Sequence, residues 1–248
     1  MTNLSGIAFW LSTPHTAMVE IAHGLGFRRV VLDIEHGVFD LERTDRLIVF
    51  ARALGMEVHA KVLGPEAIPI QQALDMGCDS VIIPHIGDVD HAAHACAAAK
   101  YPPLGVRSFA GGRTVAYDAP PEGWYAAENR RQHCYPMIES AASLADIESI
   151  LALDTVDGVF VGPSDLALSQ GRGGYRFGAE DQADLAAIAE AASRAGKPWI
   201  MPGWTPAERR LARTLGTAWM VVADETGSLF EGLSAALAAV AREQDEGD

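Results

Sequence analysis

The run VVLDIEHGV at residues 30–38 ends an apolar, strand-like stretch with three ionisable side chains, Asp33, Glu35 and His36, and then a glycine. Core packing does not ask for them, because acidic and basic groups are almost never enclosed without a partner. An imidazole with an ordinary pKa of about 6.5 takes and returns a proton near neutral pH, so His36 is a candidate general base, with a merely hydrogen-bonded structural histidine as the alternative. Asp33 and Glu35 are placed to orient it. Lys61 in EVHAKVL, Glu139 after CYPMI and Asp165 in GPSDL occupy comparable strand ends. Glu139 and Asp165 could share a proton or hold a hard divalent cation. Two oxygen ligands leave most of an octahedron open, which suits Mg2+ or Mn2+ carrying water and a chelating substrate. Asp165 could instead cap the helix that follows it. Lys61, one of the chain's few lysines with Lys100 and Lys197, could stabilise a developing oxyanion, form a Schiff base with a carbonyl, or snorkel to the surface.

Elements must bring these residues together. Apolar runs at GIAFWLS, RRVVLDIE, EVHAKVL, SVIIPHI, CYPMIE, GVFVGP, PWIMPGW and AWMVVAD read as strands. Segments with helical spacing separate them, from HTAMVEIAHGLG to LFEGLSAALAAVAREQ, several closing on the glycine that a helix C-terminus favours. Eight such repeats predict an α/β protein, a single (β/α)8 TIM barrel over residues 1–248, with a doubly wound sheet as runner-up. In a barrel, chemistry gathers at the C-terminal ends of the strands. A long irregular stretch, 102–131, reads as an active-site loop. Its Arg107 and Arg113 could grip the far end of a substrate or make surface salt bridges. The Gly-rich GRGGYRFG at 171–178 lacks the spacing of a phosphate loop and reads as a flexible connection.

Composition narrows the partners. The chain carries 33 acidic against 19 basic residues, a net charge of −14. With no basic stripe, neither a nucleic acid nor an anionic membrane surface is an expected partner. Three scattered cysteines, Cys78, Cys96 and Cys134, suggest neither a disulfide framework nor a zinc site, and no targeting or membrane-spanning segment is visible. A cytoplasmic location follows as an expectation. The last helix has more apolar residues than a solvated one needs, which suggests a homo-oligomer, and the acidic tail 243–248 is expected to be disordered.

DIEHG, YPPLGVRS, MIES and DGVFVGPSDLALSQG, in this order over nearly the whole chain, resemble the HpcH/HpaI aldolase (citrate lyase β-like) family, and within it the class II pyruvate aldolases. The resemblance implies a (β/α)8 barrel, usually a hexamer, a divalent metal ion (Mg2+, Mn2+ or Co2+), and reversible aldol addition of pyruvate or hydroxypyruvate to an aldehyde, giving a 4-hydroxy-2-oxo acid. It implies Glu139 and Asp165 as metal ligands, His36 as the base, Gly162, Pro163, Ser164 and Asp165 at the ketoacid carboxylate, and Lys61 and Met137 against the ketoacid. Asp75 in ALDMG matches an aspartate that raises the histidine's basicity; near the end of a helix running away from the mouth, it could approach His36 only from a neighbouring subunit. Two positions depart from the family. Lys61 stands where arginine is usual and Met137 where glutamine is common, so a bidentate fork and an amide donor are lost. Rival chemistries on the same barrel are a Schiff-base mechanism at Lys61, metal-dependent oxaloacetate decarboxylation, acyl-CoA ester cleavage, and ketoacid binding without turnover.

Overall fold

The computed structural model describes residues 6–245. Strands β1 (Ile7–Leu11), β2 (Arg29–Asp33), β3 (Glu57–Lys61), β4 (Ser80–Ile83), β5 (His133–Ile138), β6 (Val159–Val161), β7 (Trp199–Pro202) and β8 (Trp219–Asp224) pair in chain order, all parallel, and β8 closes onto β1. Parallel neighbours cannot be joined by a hairpin, so helices carry the chain back outside the barrel. In chain order these are α1 (Thr16–Gly24), α2 (Leu41–Ala53), α3 (Ala67–Asp75), α4 (Val89–Ala97), α5 (Trp124–Arg131), α6 (Ala141–Ala145), α7 (Ile147–Ala152), α8 (Pro163–Ser169), α9 (Ala179–Ala195), α10 (Pro206–Thr214) and α11 (Glu225–Asp245). Each of the eight strand-like runs in the sequence becomes a strand. Helix starts follow local chemistry: the side chains of Asp40, Asp88 and Thr205 accept the backbone N–H groups of Arg43, His91 and Glu208 at the starts of α2, α4 and α10. Helix α9 stops at Gly196, whose φ of +63° a side chain would resist.

The period of two in each strand decides what enters the barrel. On β3, Val58 and Ala60 join the core beneath the helices, so Glu57, His59 and Lys61 take the barrel-facing parity. On β5, Cys134 and Ile138 face the helices while Tyr135 and Met137 face inward. Ala8, Val31, Ile82, Tyr135, Met137, Phe160, Ile200, Trp219 and Val221 fill the interior, which is a packed core and not a pore. Polar groups lie above and below this plug. At the lower end the Arg29 guanidinium holds the Glu57 carboxylate at 2.7 Å, and the buried His59 ring meets Ser80 Oγ at 2.7 Å with the Trp219 ring 4.6 Å away, centroid to centroid.

Two expectations need correction. Residues 102–131 connect the end of α4 to the start of β5, so in their own barrel they lie at the N-terminal face of the strands, opposite the mouth where an active-site loop would sit. Nor is the stretch wholly irregular, since it contains α5 and a 3-10 turn at Arg113–Val115. At the C-terminus, α11 continues to Asp245, so residues 243–245 are helical, and 246–248 lie outside the described residues. The stretch 171–178 does stay a connection, with Arg172 tied to Asp181 and Asp184 at 3.1 and 2.6 Å.

The His59 ring and the Arg29 guanidinium hold the Glu57 carboxyl down at about 2, from an ordinary 4.5, against the opposing effect of partial burial. A depressed carboxylate contributes its stabilisation fully above its unfolded pKa and loses it as pH falls toward the folded one. The difference in thermal midpoint between the native chain and Glu57→Gln is therefore expected to be constant above about pH 5 and to shrink as pH is lowered toward about 3. A difference that widens on acidification would contradict the pairing.

Candidate active site

Beyond Asp33 the chain turns sharply, with Gly37 N–H donating to Asp33 O and Val38 N–H to Ser12 O, both at 2.9 Å. Glycine is required at 37 because a Cβ there would lie 2.2 Å from Asp33 O and 2.5 Å from Ser12 O, both backbone atoms that cannot move aside. The turn carries Glu35 inward and leaves the His36 side chain 63% exposed at the mouth. Asp33, the last residue of β2, uses both oxygens. Oδ1 accepts the His36 backbone N–H and Oδ2 the Trp10 indole N–H, each at 3.2 Å, and Lys61 Nζ lies 3.6 Å away. The contact of Asp33 with His36 is to its backbone N–H and not to its ring.

Register places Lys61 beside Asp33 across the β2–β3 pair. Its ammonium meets Glu35 at 2.6 Å and stands 5.9 Å over the Trp10 ring. Glu35 also lies 3.5 Å from His36 Nε2 and 2.5 Å from His85 Nε2. Burial works to raise the Glu35 carboxyl, but the hydrogen bond and charge of Lys61, with His36 and His85, hold it below its ordinary value. His85 is a site residue that the reading of the sequence passed over. It sits just beyond β4 with φ of +61°, an uncommon conformation for a side-chain-bearing residue, and its backbone N–H donates to Glu139 Oε1 at 2.5 Å. SVIIPHI held the signal: the polar, strand-end position that singles out His36 applies equally to His85.

Glu139 follows β5 on the inward parity and is buried. Burial raises its carboxyl above the ordinary range, the His85 N–H works against this, and the negative charge of Asp165 adds to the rise. Asp165 lies in the first turn of α8, which starts directly after β6 and Gly162. A Cβ at Gly162 would come within 2.8 Å of Glu139 Cβ, 2.9 Å of Glu139 Oε2 and 3.2 Å of Met137 Sδ. The missing side chain at Gly162 is what leaves room beside that carboxylate. Pro163 and Met137 are buried beneath, whereas Ser164 and Asp165 are exposed at the rim. Among the described residues no group of three or more His, Cys, Asp or Glu side chains is arranged to hold a metal ion, so a cation here would depend on the carboxylate pair and on oxygens from outside the chain.

Asp75 is not brought to this cluster. It ends α3, at the face opposite the mouth, where Arg107 Nη2 binds it at 2.6 Å. Arg107 is buried, reaches Gln132 Oε1 at 2.5 Å and lies 4.6 Å over the Tyr101 ring. Arg113 bonds Asp45 and Met76 O, both at 2.6 Å. Neither arginine therefore grips a substrate in its own barrel; both fasten the 102–131 stretch to α2 and α3.

A family model described as HpcH/HpaI aldolase/citrate lyase matches residues 6–208. The chain is 32% identical over 244 residues to a 4-hydroxy-2-oxovalerate aldolase of Rhodococcus jostii, covering 95% of this chain and 92% of that one. It is 29% identical over 237 residues to a 4-hydroxy-2-oxo-heptane-1,7-dioate aldolase of Salmonella typhimurium, covering 92% and 88%. The crystal structure of a family protein from Burkholderia cenocepacia superposes with a TM-score of 0.87 at 26% identity, covering 95% and 94%.

The turn that presents Glu35 and His36 should tolerate no side chain at its glycine. Gly37→Ala is expected to cost about 2–3 kcal/mol by overpacking against fixed backbone, which lowers the thermal midpoint by roughly 4–12 °C in a chain of this size. Gly24→Ala, where a Cβ meets nothing within 4 Å, serves as the control and should be neutral or slightly stabilising. Equal melting of the two variants would refute the tight turn.

Proposed function

The chain belongs to the HpcH/HpaI aldolase/citrate lyase family, whose named relatives act on carbon–carbon bonds, and from this we propose that it is a class II aldolase. It joins pyruvate or hydroxypyruvate to an aldehyde, and cleaves the resulting 4-hydroxy-2-oxo acid. The observation that carries the reading is the buried Glu139 carboxylate, pushed up by burial and by Asp165, with space kept clear beside its Oε2 by Gly162.

A hard divalent cation fits that pair, because it supplies the positive charge whose absence makes the buried carboxylate costly, and carboxylate oxygens are its preferred donors. Glu139 and Asp165 would hold Mg2+, Mn2+ or Co2+, and the ion would supply Lewis-acid polarisation of the 2-oxo group. The chain's own residues do the rest. The first turn of α8, Gly162 to Asp165, receives the ketoacid carboxylate, and Met137 forms an apolar floor. His36, exposed at the mouth with its backbone fixed by Asp33, moves the proton at C3. Lys61 places a positive charge near the oxygen on which negative charge develops, in buried surroundings where water competes little with it. Glu35 fixes that ammonium, and Asp75 is a catalytic candidate only when presented by a neighbouring subunit.

We read the assembly as a homo-oligomer, a hexamer by resemblance. Helix α11 exposes Leu229, Phe230, Leu233, Leu237 and Val240. These recur at helical spacing on an element too apolar to stand alone in water. A groove beside its root, lined by Phe9, Met18, Ile21, Leu25 and Phe27, is apolar as well. A second copy, laying its own α11 on this groove and receiving this one in return, buries both surfaces. Among the described residues no helix is long and apolar enough to cross a membrane. The cysteines are free and buried, in keeping with a reducing, cytoplasmic setting.

Chelator-treated protein should lose turnover of pyruvate or hydroxypyruvate with a short aldehyde and regain it with Mg2+, Mn2+ or Co2+. Glu139→Gln should lower kcat/KM by about 100-fold or more. Activity that survives chelation, together with a borohydride-trapped adduct on Lys61, would replace this reading by the Schiff-base one. The assembly is checked by light scattering: Phe230→Glu with Leu233→Glu should shift the mass toward that of one chain, and an unchanged mass would remove α11 from the interface.

A further inference from the structure

The His36 side chain is 63% exposed, and its ring stands 3.5 Å from Glu35 Oε1, too far for a firm hydrogen bond. A ring held so loosely takes its position from the backbone that carries it. That backbone is fastened at two points. Asp33 accepts the His36 N–H, and the carbonyl of Ser12 accepts the Val38 N–H at 2.9 Å. The second contact is close-packed, since a Cβ at Gly37 would stand 2.5 Å from the Ser12 oxygen. Ser12 lies just past the end of β1, outside the strand ladder. Whatever fixes Ser12 therefore decides where the far side of the turn sits.

The group that fixes it comes from the other end of the sequence. Strands β8 and β1 pair so that Asp224 stands opposite Trp10, and the chain passes from Asp224 straight into α11 at Glu225. Glu225 is buried and reaches across to the β1 loop, where Oε1 accepts the Ser12 N–H at 3.0 Å and Oε2 the Thr13 hydroxyl at 2.9 Å. An acidic group at a helix start already gains from the helix dipole while it stays in water, so burial against this loop, with both oxygens spent on it, goes beyond what α11 needs. Ser12 is thus gripped at both of its backbone polar groups, its N–H by Glu225 and its carbonyl by Val38. We propose that Glu225 is a positioning residue for His36: through Ser12 it fixes the far side of the 33–38 turn, and with it the imidazole. The inference rests on the aldolase reading, in which His36 moves the proton at C3, and adds to it a residue outside the mouth cluster.

Glu225→Gln keeps the length of the side chain but turns an NH2 group toward one of the two donors. Thr13→Val removes the hydroxyl, and Thr13→Ser retains it. Amide hydrogen exchange over residues 33–38 is followed by mass spectrometry without substrate. With saturating Mn2+, exchange of the C3 protons of pyruvate into D2O is followed by NMR without aldehyde, alongside kcat with one fixed aldehyde and the dissociation constant of pyruvate. Because Glu225 also borders the groove beside α11, mass is checked by light scattering. Glu225→Gln should loosen the 33–38 amides while β5 keeps its native protection. C3 exchange and kcat should fall together by roughly ten- to a hundredfold, the effect of a misplaced group, with the dissociation constant and the mass unchanged. Thr13→Val should act in the same direction to a smaller extent, and Thr13→Ser should behave as the native chain. Native amide exchange at 33–38 in both Glu225→Gln and Thr13→Val, native C3 exchange in a loosened turn, or a joint fall of thermal midpoint, affinity and kcat overturns the assignment, the last by making Glu225 a structural tie alone. Failure of the aldolase reading looks different: the native chain then exchanges no C3 protons, and the amide comparison by itself decides whether Glu225 holds the turn.

Discussion

A carboxylate taken out of water costs several kcal/mol unless cations come to it. Glu35, with only 8% of its side chain exposed, draws Lys61 from β3, His85 from beyond β4 and His36 from its own turn. Because the ammonium and the two imidazoles arrive from adjoining elements of the barrel, their contacts with this one carboxylate also act as a clamp across the mouth. Trp10 and Asp33 extend it to β1, and the His85 backbone extends it to Glu139 beyond β5. One buried charge thus accounts for the relative placement of groups spread over more than half the circumference. It also explains why a residue with a strained backbone is kept, since strain at one position is affordable where several contacts hold it.

The two inward glutamates show how environment divides roles between like groups. Glu35 has the Lys61 ammonium and two imidazoles against it and is held below its ordinary value, so it serves as a fixed anion. Glu139 has one backbone donor and a neighbouring carboxylate, and burial pushes it up, so it is the group with unmet demand for positive charge. Pairs of carboxyls pushed in opposite directions within one mouth mark where acid–base and electrostatic work is separated.

The fold was legible because period two in the strands and helical spacing between them are local properties, and parallel closure leaves little freedom once eight units are counted. Asp33, Glu35, Lys61 and Glu139 were legible for the same reason, as ionisable groups in positions that apolar packing would otherwise fill. His85 was hidden by its neighbours. SVIIPHI reads as one strand, whereas the chain leaves β4 at Ile83, and nothing in the letters shows the positive φ that turns residue 85 into the mouth. The 102–131 stretch was misplaced because irregular length was weighed above direction. A segment that follows a returning helix must lie at the lower face of its own barrel, whatever its composition. Connectivity also separates Asp75 from His36, a separation that only a second chain can undo.

Lys61 could in principle attack a ketone as an amine or stabilise its oxygen as a charge, and the surroundings discriminate between the two. To attack, Nζ would have to leave Glu35 at 2.6 Å and Asp33 at 3.6 Å, which would strip a buried carboxylate of its closest cation at the moment a bond forms. To stabilise an oxyanion, it need not move. Preorganised charge is effective because the reorientation that water would need has already been made during folding. The cost of holding Lys61 still is met by the same two carboxylates that contact His36, so the imidazole and the positive charge are set by one arrangement. A guanidinium at this place would spread its charge over a planar fork, whereas an ammonium concentrates it at a point. With Trp10 beneath it and Met137 and Phe160 lining the interior below, that point charge faces a largely apolar floor, and a negative charge placed above this floor would be drawn toward it.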